Sequence, residues 1–172
     1  MEFYDVINQR ASCRSYDPDR PVPDETLRRI LNVGRMAPSA ANRQPWIFCL
    51  ASSEQALARL RPCYHREWYR DAPHILAVVG RPDESWVRAE DGYNSIETDL
   101  TIAMDHLILA AENEGVGACW VAAFDYPLLK EALELSESEV VFAITPLGYP
   151  RVGVESKREK KRKPLEEVVR YL

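Results

Sequence analysis

The longest regular pattern of apolar positions in the chain runs from about Ser95 to Glu114 and predicts a long helix. Its apolar residues occupy most of the helix circumference: Ile96, Leu100, Ile102, Ala103, Met104, Leu107, Ile108, Leu109, Ala110 and Ala111. A helix of this kind has to be covered on nearly every side. In a chain of 172 residues, part of that cover could come from a second copy, so the pattern predicts a homodimer.

Shorter patterns predict four further helices and four strands. The helices are expected up to Gln9, from an Asp24 cap to about Met36, from a Ser52–Gln55 capping box through Leu60, and after an Asp125 cap. The strands are expected at 46–51, 74–79, 117–123 and 140–144, the last ending near Gly148. Because helices and strands do not alternate strictly, we expect one α+β domain over residues 1–172, with a mostly antiparallel central sheet.

Two stretches have no clean period. Cys63–Asp71 is aromatic and polar, and we interpret it as a surface helix or a lid over a site. Residues 80–92 are polar and predict a loop.

Composition narrows the classes of function. The chain is 46% hydrophobic and 28% charged, which is typical of a soluble globular protein. Its net charge of −5 argues against nucleic acid as the main partner, although residues 157–163 form a basic run. No apolar run approaches the roughly 20 residues of a membrane helix, and the amino terminus lacks the apolar core of a signal peptide. We therefore expect a cytoplasmic protein with neither a nucleic-acid nor a membrane partner.

The cysteines do not predict a metal site. The chain has Cys13, Cys49, Cys63 and Cys119, with no Cys-x-x-Cys pair and no histidine at metal-ligand spacing. Cys13 stands between cationic neighbours and could be an activated thiol, but packing in the core is the preferred interpretation.

Candidate chemistry lies in two loops that carry short polar side chains and cations. The loop 37–46 contains Pro38, which should end the preceding helix, and then Ser39 and Asn42, which can bond backbone or a ligand. The segment Arg10–Tyr16 carries two arginines with a hydroxyl between them, which could converge on a phosphate or a polar ring edge. Taken separately, each loop is also compatible with an ordinary capped loop or a solvated basic turn.

Taken together, these loops resemble the flavin-dependent nitroreductase family. That family has an Arg-x-Ser-x-Arg/Lys-x-aromatic stretch followed by a Pro-Ser-x-x-Asn-x-Gln-Pro-Trp loop, and residues 10–16 and 38–46 match both. Two later stretches also match, 115–125 and the basic tail around 160–164. The resemblance implies a homodimer with FMN bound at the interface between its two copies.

The resemblance also implies a set of flavin contacts. Arg10, Lys160 and Arg162 match ligands of the phosphate, and Arg14 matches the cation beside N1 and O2 of the ring. The stretch Trp120, Val121, Ala122 and Ala123 matches the segment that donates a backbone N–H to N5, with the donor expected at Ala122. Pro38, Ser39 and Asn42 are expected to touch the flavin bound by the other copy, and Ala11, Ser12 and Gln44 to complete the site. At His65–Trp68 the chain departs from the family, where many relatives carry an amide and a basic residue.

The implied mechanism is ping-pong: NADH or NADPH reduces the flavin at N5, leaves, and is replaced by a nitroaromatic, a quinone or a similar acceptor. The flavin itself accepts and donates the hydride, so no catalytic side chain and no metal are expected. The alternatives are a different reaction on the same scaffold, such as dehalogenation or ring oxidation, and a flavin-binding redox sensor. A nucleic-acid binder that uses the basic tail is a further, less favoured alternative.

Overall fold

The computed structural model describes residues 1–154 and 160–172. Its helices and strands, in chain order, are α1 (Phe3–Gln9), α2 (Asp24–Arg35), β1 (Trp46–Ala51), α3 (Glu54–Leu60), α4 (Glu67–Arg70), β2 (His74–Gly80), α5 (Ile96–Asn113), β3 (Gly117–Ala118), α6 (Tyr126–Ala132), β4 (Val140–Gly148) and α7 (Leu165–Val168). Short 3-10 turns lie at Ala40–Asn42, Arg61–Cys63 and Pro82–Glu84. None of the helices in these described ranges has the length and apolar character needed to cross a membrane.

The central sheet has four strands in the order β1-β2-β4-β3, and every pair is antiparallel. Trp46 of β1 pairs with Gly80 of β2, which in turn pairs with Val140 at the start of β4. Ala118 of β3 pairs with Leu147 near the end of β4. The α+β architecture with an antiparallel sheet flanked by helices is therefore confirmed.

Strand β2 is buried on both faces, which explains why its sequence is apolar throughout and does not alternate. Leu76 and Val78 pack into the core formed with α2 and α5 on one face. Ile75, Ala77 and Val79 pack into the core formed with α3 and α6 on the other. The sheet is thus the middle layer between two helical layers.

The predicted elements are present with some changes of boundary. Ser53 caps α3 by accepting from the Ala56 N–H at 3.2 Å, and Asp125 caps α6 by accepting from Leu128 N–H at 3.1 Å. The Asp24 cap is wrong, because α2 begins at Asp24 itself and follows an extended Pro23. The Cys63–Asp71 stretch does contain the short helix α4, but Tyr69 within it is completely buried.

The predicted strand 117–123 is mostly wrong. The ladder β3 covers only Gly117–Ala118, and the chain touches β4 again through a bridge between Val121 and Ile144. Between these points, the Cys119 N–H donates to the buried Thr145 hydroxyl at 3.1 Å. A side chain thus takes the place of the backbone acceptor, so the regular ladder is interrupted there.

Candidate functional site

The segment Arg10–Tyr16 is held against the strand β3. Ser12 forms a parallel bridge with Ala118, and the Cys13 N–H donates to the Ala118 carbonyl at 2.9 Å. The approach is so close that a Cβ on Gly117 would lie 2.7 Å from the Cys13 Sγ. Glycine is therefore required at position 117 for this segment to dock.

Side chains of this segment point in two directions. Cys13 and Tyr16 are buried, and the Tyr16 hydroxyl donates to the Cys13 carbonyl at 2.9 Å. Arg14 is exposed, and Arg10 is half-buried at the end of α1. The buried pair anchors the segment, which leaves the arginines available to a ligand.

The thiols near this segment are not activated. Burial raises the pKa of the Cys13 thiol, so it stays protonated, in agreement with the packing interpretation. Burial also raises the pKa of the Cys119 thiol, although the positive charges of Arg14 and Arg10 and a hydrogen bond from Ser12 oppose that rise. The bonds of Ser12 and Cys13 to Ala118 place the segment that carries both arginines along one edge of β3.

Residues 120–123 extend this edge. Trp120 is half-buried and packs edge-on against Phe142, with ring centroids 5.8 Å apart. Val121 exchanges both backbone hydrogen bonds with Ile144, at 2.9 and 3.0 Å. Ala122 and Ala123 are exposed, and in the described part of the chain their N–H groups have no hydrogen-bond acceptor. Two exposed backbone donors thus lie in the stretch that follows β3, the strand on which the Arg10–Arg14 segment docks.

The tail residues are only partly brought to this edge. The Lys160 ammonium donates to the Ile7 carbonyl, one turn of α1 before Arg10. Arg162 is exposed and donates to the Lys161 carbonyl at 2.9 Å, and within residues 1–154 and 160–172 it makes no hydrogen bond to the Arg10 segment. Part of the predicted basic run 157–163, namely residues 157–159, lies outside the described residues.

A cleft of about 870 Å³ lies beside Arg14. Its walls combine aromatic and charged side chains: Tyr64, Arg66, Trp68, Asp71 and Arg151. The rings of Tyr64 and Trp68 meet edge-on at 5.7 Å, and Arg151 pairs with Asp71 at 3.1 Å. The sequence predicted this aromatic stretch as a surface helix or a lid over a site, but it did not predict that the stretch lines a cleft together with Arg14.

The loop 38–44 is built from an uncommon backbone conformation. Ala41, Asn42 and Gln44 have φ values of 50°, 54° and 51°, in the left-handed region that non-glycine residues rarely adopt. Internal bonds stabilise it: the Gln44 N–H donates to the Ser39 hydroxyl at 2.8 Å, and the Gln44 amide donates to the Asn42 side chain at 3.2 Å. Pro38, Asn42 and Gln44 are exposed, and Ser39 is half-buried.

One chain does not bring this loop to the other predicted site residues. The Ala40 N–H donates to Asp99 in the first turn of α5, whereas Ala118 follows the other end of that helix. Because α5 has 18 residues, it is about 27 Å long, and the loop lies roughly 20 Å from the Arg10–Arg14 segment. The strand register also separates the two segments. Trp46 aligns through Gly80 with Val140 at the start of β4, whereas Ala118 pairs with Leu147 near its end.

Comparison with known proteins identifies relatives over most of the chain. The model of the Nitroreductase family matches residues 7–68 and 61–149. An Archaeoglobus fulgidus protein named as a candidate NADH dehydrogenase/NAD(P)H nitroreductase is 30% identical over 155 residues, covering 87% of this chain and 86% of that protein. An iodotyrosine deiodinase of Haliscomenobacter hydrossis is 24% identical, covering 88% of this chain and 81% of its own.

Solved structures have the same fold. A nitroreductase family protein of Clostridium difficile 630 superposes with a TM-score of 0.89 at 32% identity, covering 99% of this chain and 98% of that one. An oxidoreductase containing FMN superposes with a TM-score of 0.81 at 24% identity, covering 96% and 89% of the two chains. The second similarity concerns the fold alone.

Proposed function

Because the chain belongs to the nitroreductase family, we propose that it is an FMN-dependent oxidoreductase that passes electrons from NADH or NADPH to a nitroaromatic, a quinone or a similar small acceptor. The observation that carries the proposal is the docking of the Arg10–Arg14 segment on β3, just before the stretch that carries the two exposed backbone N–H donors of Ala122 and Ala123. When bound there, FMN would supply hydride transfer, which side chains cannot perform.

The residues at this edge suit each part of FMN. A phosphate with nearly two negative charges needs cationic donors, and Arg10 with Lys160, which is bonded one turn away on α1, provides them. A cation beside the ring favours its reduced form, which is the role we assign to Arg14. The N–H of Ala122 is assigned to ring N5, with Ala11, Ser12, Trp120, Val121 and Ala123 forming the adjacent wall.

The remaining contacts are assigned to a second copy of the chain. Pro38, Ser39, Asn42 and Gln44 lie too far from their own Arg10 segment to share its ligand, so their flavin would be the partner's. An apolar groove of about 620 Å³ between α1, α2 and α5 supports a dimer, since Phe3, Ile7 and Leu109 line it. The exposed apolar side chains at the carboxyl terminus, Val168, Tyr171 and Leu172, also support a dimer. Arg162 is assigned to the phosphate on the resemblance alone.

The cleft beside Arg14 is the place where we expect the acceptor to enter. Its volume of about 870 Å³ is sufficient for a small aromatic molecule. Tyr64 and Trp68 offer ring edges and faces, and these favour aromatic acceptors such as nitroaromatics and quinones.

The absorbance of purified protein tests the proposal. We expect protein reconstituted with FMN to be yellow, to lose its visible band when NADH or NADPH is added without oxygen, and to regain it with a nitroaromatic or a quinone. Protein that takes up no FMN would contradict the proposal. A visible band that neither nicotinamide bleaches would instead favour a flavin-binding redox sensor.

Dehalogenation is the second candidate function, because an iodotyrosine deiodinase is among the relatives. It predicts that reduced protein releases iodide from iodotyrosine faster than it reduces a nitroaromatic. The two candidates share the flavin site and differ in what the cleft accepts, so side-by-side turnover of both substrates separates them.

A further inference from the structure

The loop 38–44 is bonded to helix α5 by a single buried carboxylate. The Ala40 N–H donates to the Asp99 Oδ1 at 2.9 Å, and Asp99 is 1% exposed. In the described residues, this is the only hydrogen bond that residues 38–44 make to a helix. Their other hydrogen bonds lie within the loop, apart from the Trp46 N–H at the start of β1, which donates to the Gln44 carbonyl at 2.9 Å. The contact therefore sets where the loop stands on α5.

Asp99 is itself held in place. Its second oxygen, Oδ2, accepts from the Ser95 hydroxyl at 2.8 Å, and Ser95 is also buried. The carboxylate lies in the first turn of α5, where the helix dipole favours a negative charge. Two donors and the helix end thus orient the carboxylate toward the loop.

The loop needs such support. Three of its residues have positive φ values without being glycine, and conformations of this kind persist only where their surroundings determine them. The internal bonds from Gln44 to Ser39 and Asn42 shape the turn, but they do not orient it on the molecule. Asp99 is the residue that joins the turn to α5.

From this geometry we propose that Asp99 is a positioning residue for the flavin site of the partner copy. The proposal rests on the proposed function, in which Ser39 and Asn42 contact the partner's FMN. Asp99 touches neither the flavin nor the acceptor, and it acts through the backbone of Ala40. Its effect should therefore appear in the flavin site whose Arg10 segment belongs to the partner copy.

Substitutions at position 99 provide the first test. Asp99→Ala should weaken FMN binding by at least about tenfold, which is typical for loss of a charged hydrogen bond. Asp99→Asn, which can still accept from Ala40 and donate to Ser95, should stay within about threefold of wild type. The matched control is Glu97→Ala, which removes an exposed carboxylate from the same turn without touching the loop.

Mixed dimers provide the second test, because they separate positioning from general stability. Arg10→Ala in one copy and Asp99→Ala in the other leaves one intact site per dimer if Asp99 serves the partner. The double variant paired with wild type leaves none. Dimers purified through two different tags should therefore bind FMN at about half the wild-type capacity in the first arrangement and at a much lower capacity in the second.

The outcomes have distinct meanings. Wild-type protein that binds no FMN would end the proposed function and this inference together. Wild type that binds FMN with an Asp99→Ala variant that binds it equally would end only the role of Asp99. The reverse pattern in the mixed dimers would show that Asp99 acts within its own chain and would overturn the proposal. If Asp99→Ala does not fold, Ser95→Ala replaces it, and unchanged FMN affinity would then count against the proposal.

Discussion

At the scale of single residues, the segment Arg10–Tyr16 divides its side chains between the core and the surface. Cys13 and Tyr16 are buried and anchor the segment, whereas Arg14 remains exposed beside the cleft. An exposed cation that forms no ion pair within the described residues keeps its charge available to a ligand. This division underlies the role that we assign to Arg14.

Arg14→Met should lower the reduction potential of bound FMN more than it weakens FMN binding. The cation interacts mainly with the reduced ring, and losing about 1.4 kcal/mol of that interaction lowers a two-electron potential by about 30 mV. Equilibration with redox dyes measures the potential. Arg28→Met, which removes an exposed cation from α2, is the control, and an unchanged potential in Arg14→Met would remove Arg14 from this role.

His74 makes stability depend on pH. Its Nε2 accepts from the Val22 N–H at 3.0 Å, so Nδ1 carries the hydrogen and donates to the Ser52 hydroxyl at 2.8 Å. Burial lowers the pKa of His74 below its ordinary value of 6.5. The unfolded chain therefore binds a proton first, and stability that is present above pH 6.5 falls as the pH drops toward the lowered folded-state pKa.

Urea unfolding at about pH 8 and pH 5.5 measures this dependence. His74→Gln can keep both hydrogen bonds without titrating, so we expect the variant to lose part of the decrease in stability at low pH. His65→Gln, at an exposed position, is the control and should behave as wild type. A decrease of equal size in His74→Gln and wild type would contradict the assignment.

At the scale of elements, capping residues define where short helices begin. Helix α6 has only seven residues, and a helix of that length is marginal without its packing and its cap. Asp125 accepts from the Leu128 N–H, and its own N–H donates to the Cys63 carbonyl at 2.8 Å. The cap thereby joins α6 to the turn before the aromatic wall of the cleft.

Asp125→Ala should lower the free energy of unfolding by about 1 kcal/mol, the usual cost of losing a side-chain cap. Asp125→Asn should restore most of it, because the amide oxygen can accept the same hydrogen bond. Chemical denaturation of the three proteins measures the difference. Equal stability of Asp125→Ala and wild type would mean that packing alone holds α6.

At the scale of the whole molecule, the proposed site belongs to two chains. The loop 38–44 and the Arg10–Arg14 segment stand at opposite ends of α5 and at opposite ends of β4. A second copy in antiparallel arrangement along α5 would bring each loop to the other chain's segment. The helix that separates the two half-sites in one chain would then join them in the dimer.

Leu109→Asp should produce a monomer that binds FMN poorly. Leu109 lines the apolar groove between α1, α2 and α5. A carboxylate there would have to be buried without a partner in the dimer. Size-exclusion chromatography with light scattering measures the oligomeric state, and FMN titration measures the affinity. Val87→Asp, at an exposed apolar position outside that groove, is the control. A Leu109→Asp monomer that retains wild-type FMN affinity would contradict the shared site.

The sequence by itself determined the features that depend on local order. The periodicity of 95–114 predicted α5, the apolar runs predicted β1, β2 and β4, and Pro38 predicted the end of α2. The motifs at 10–16, 38–46, 115–125 and 160–164, in this order, predicted the family, which the matches over residues 7–68 and 61–149 confirm. These features can be predicted because each depends on neighbours a few residues away in the chain.

Only the tertiary structure decided which distant groups meet. The Ala40–Asp99 bond joins residues 59 positions apart, and no local pattern identifies an aspartate in an apolar helix as the support of a remote loop. In the same way, β3 is short because the Thr145 hydroxyl takes the Cys119 N–H, although the run 117–123 is apolar. Hydrogen-bond partners across such separations are chosen by how whole elements pack, and that packing places the two halves of the proposed site at opposite ends of α5.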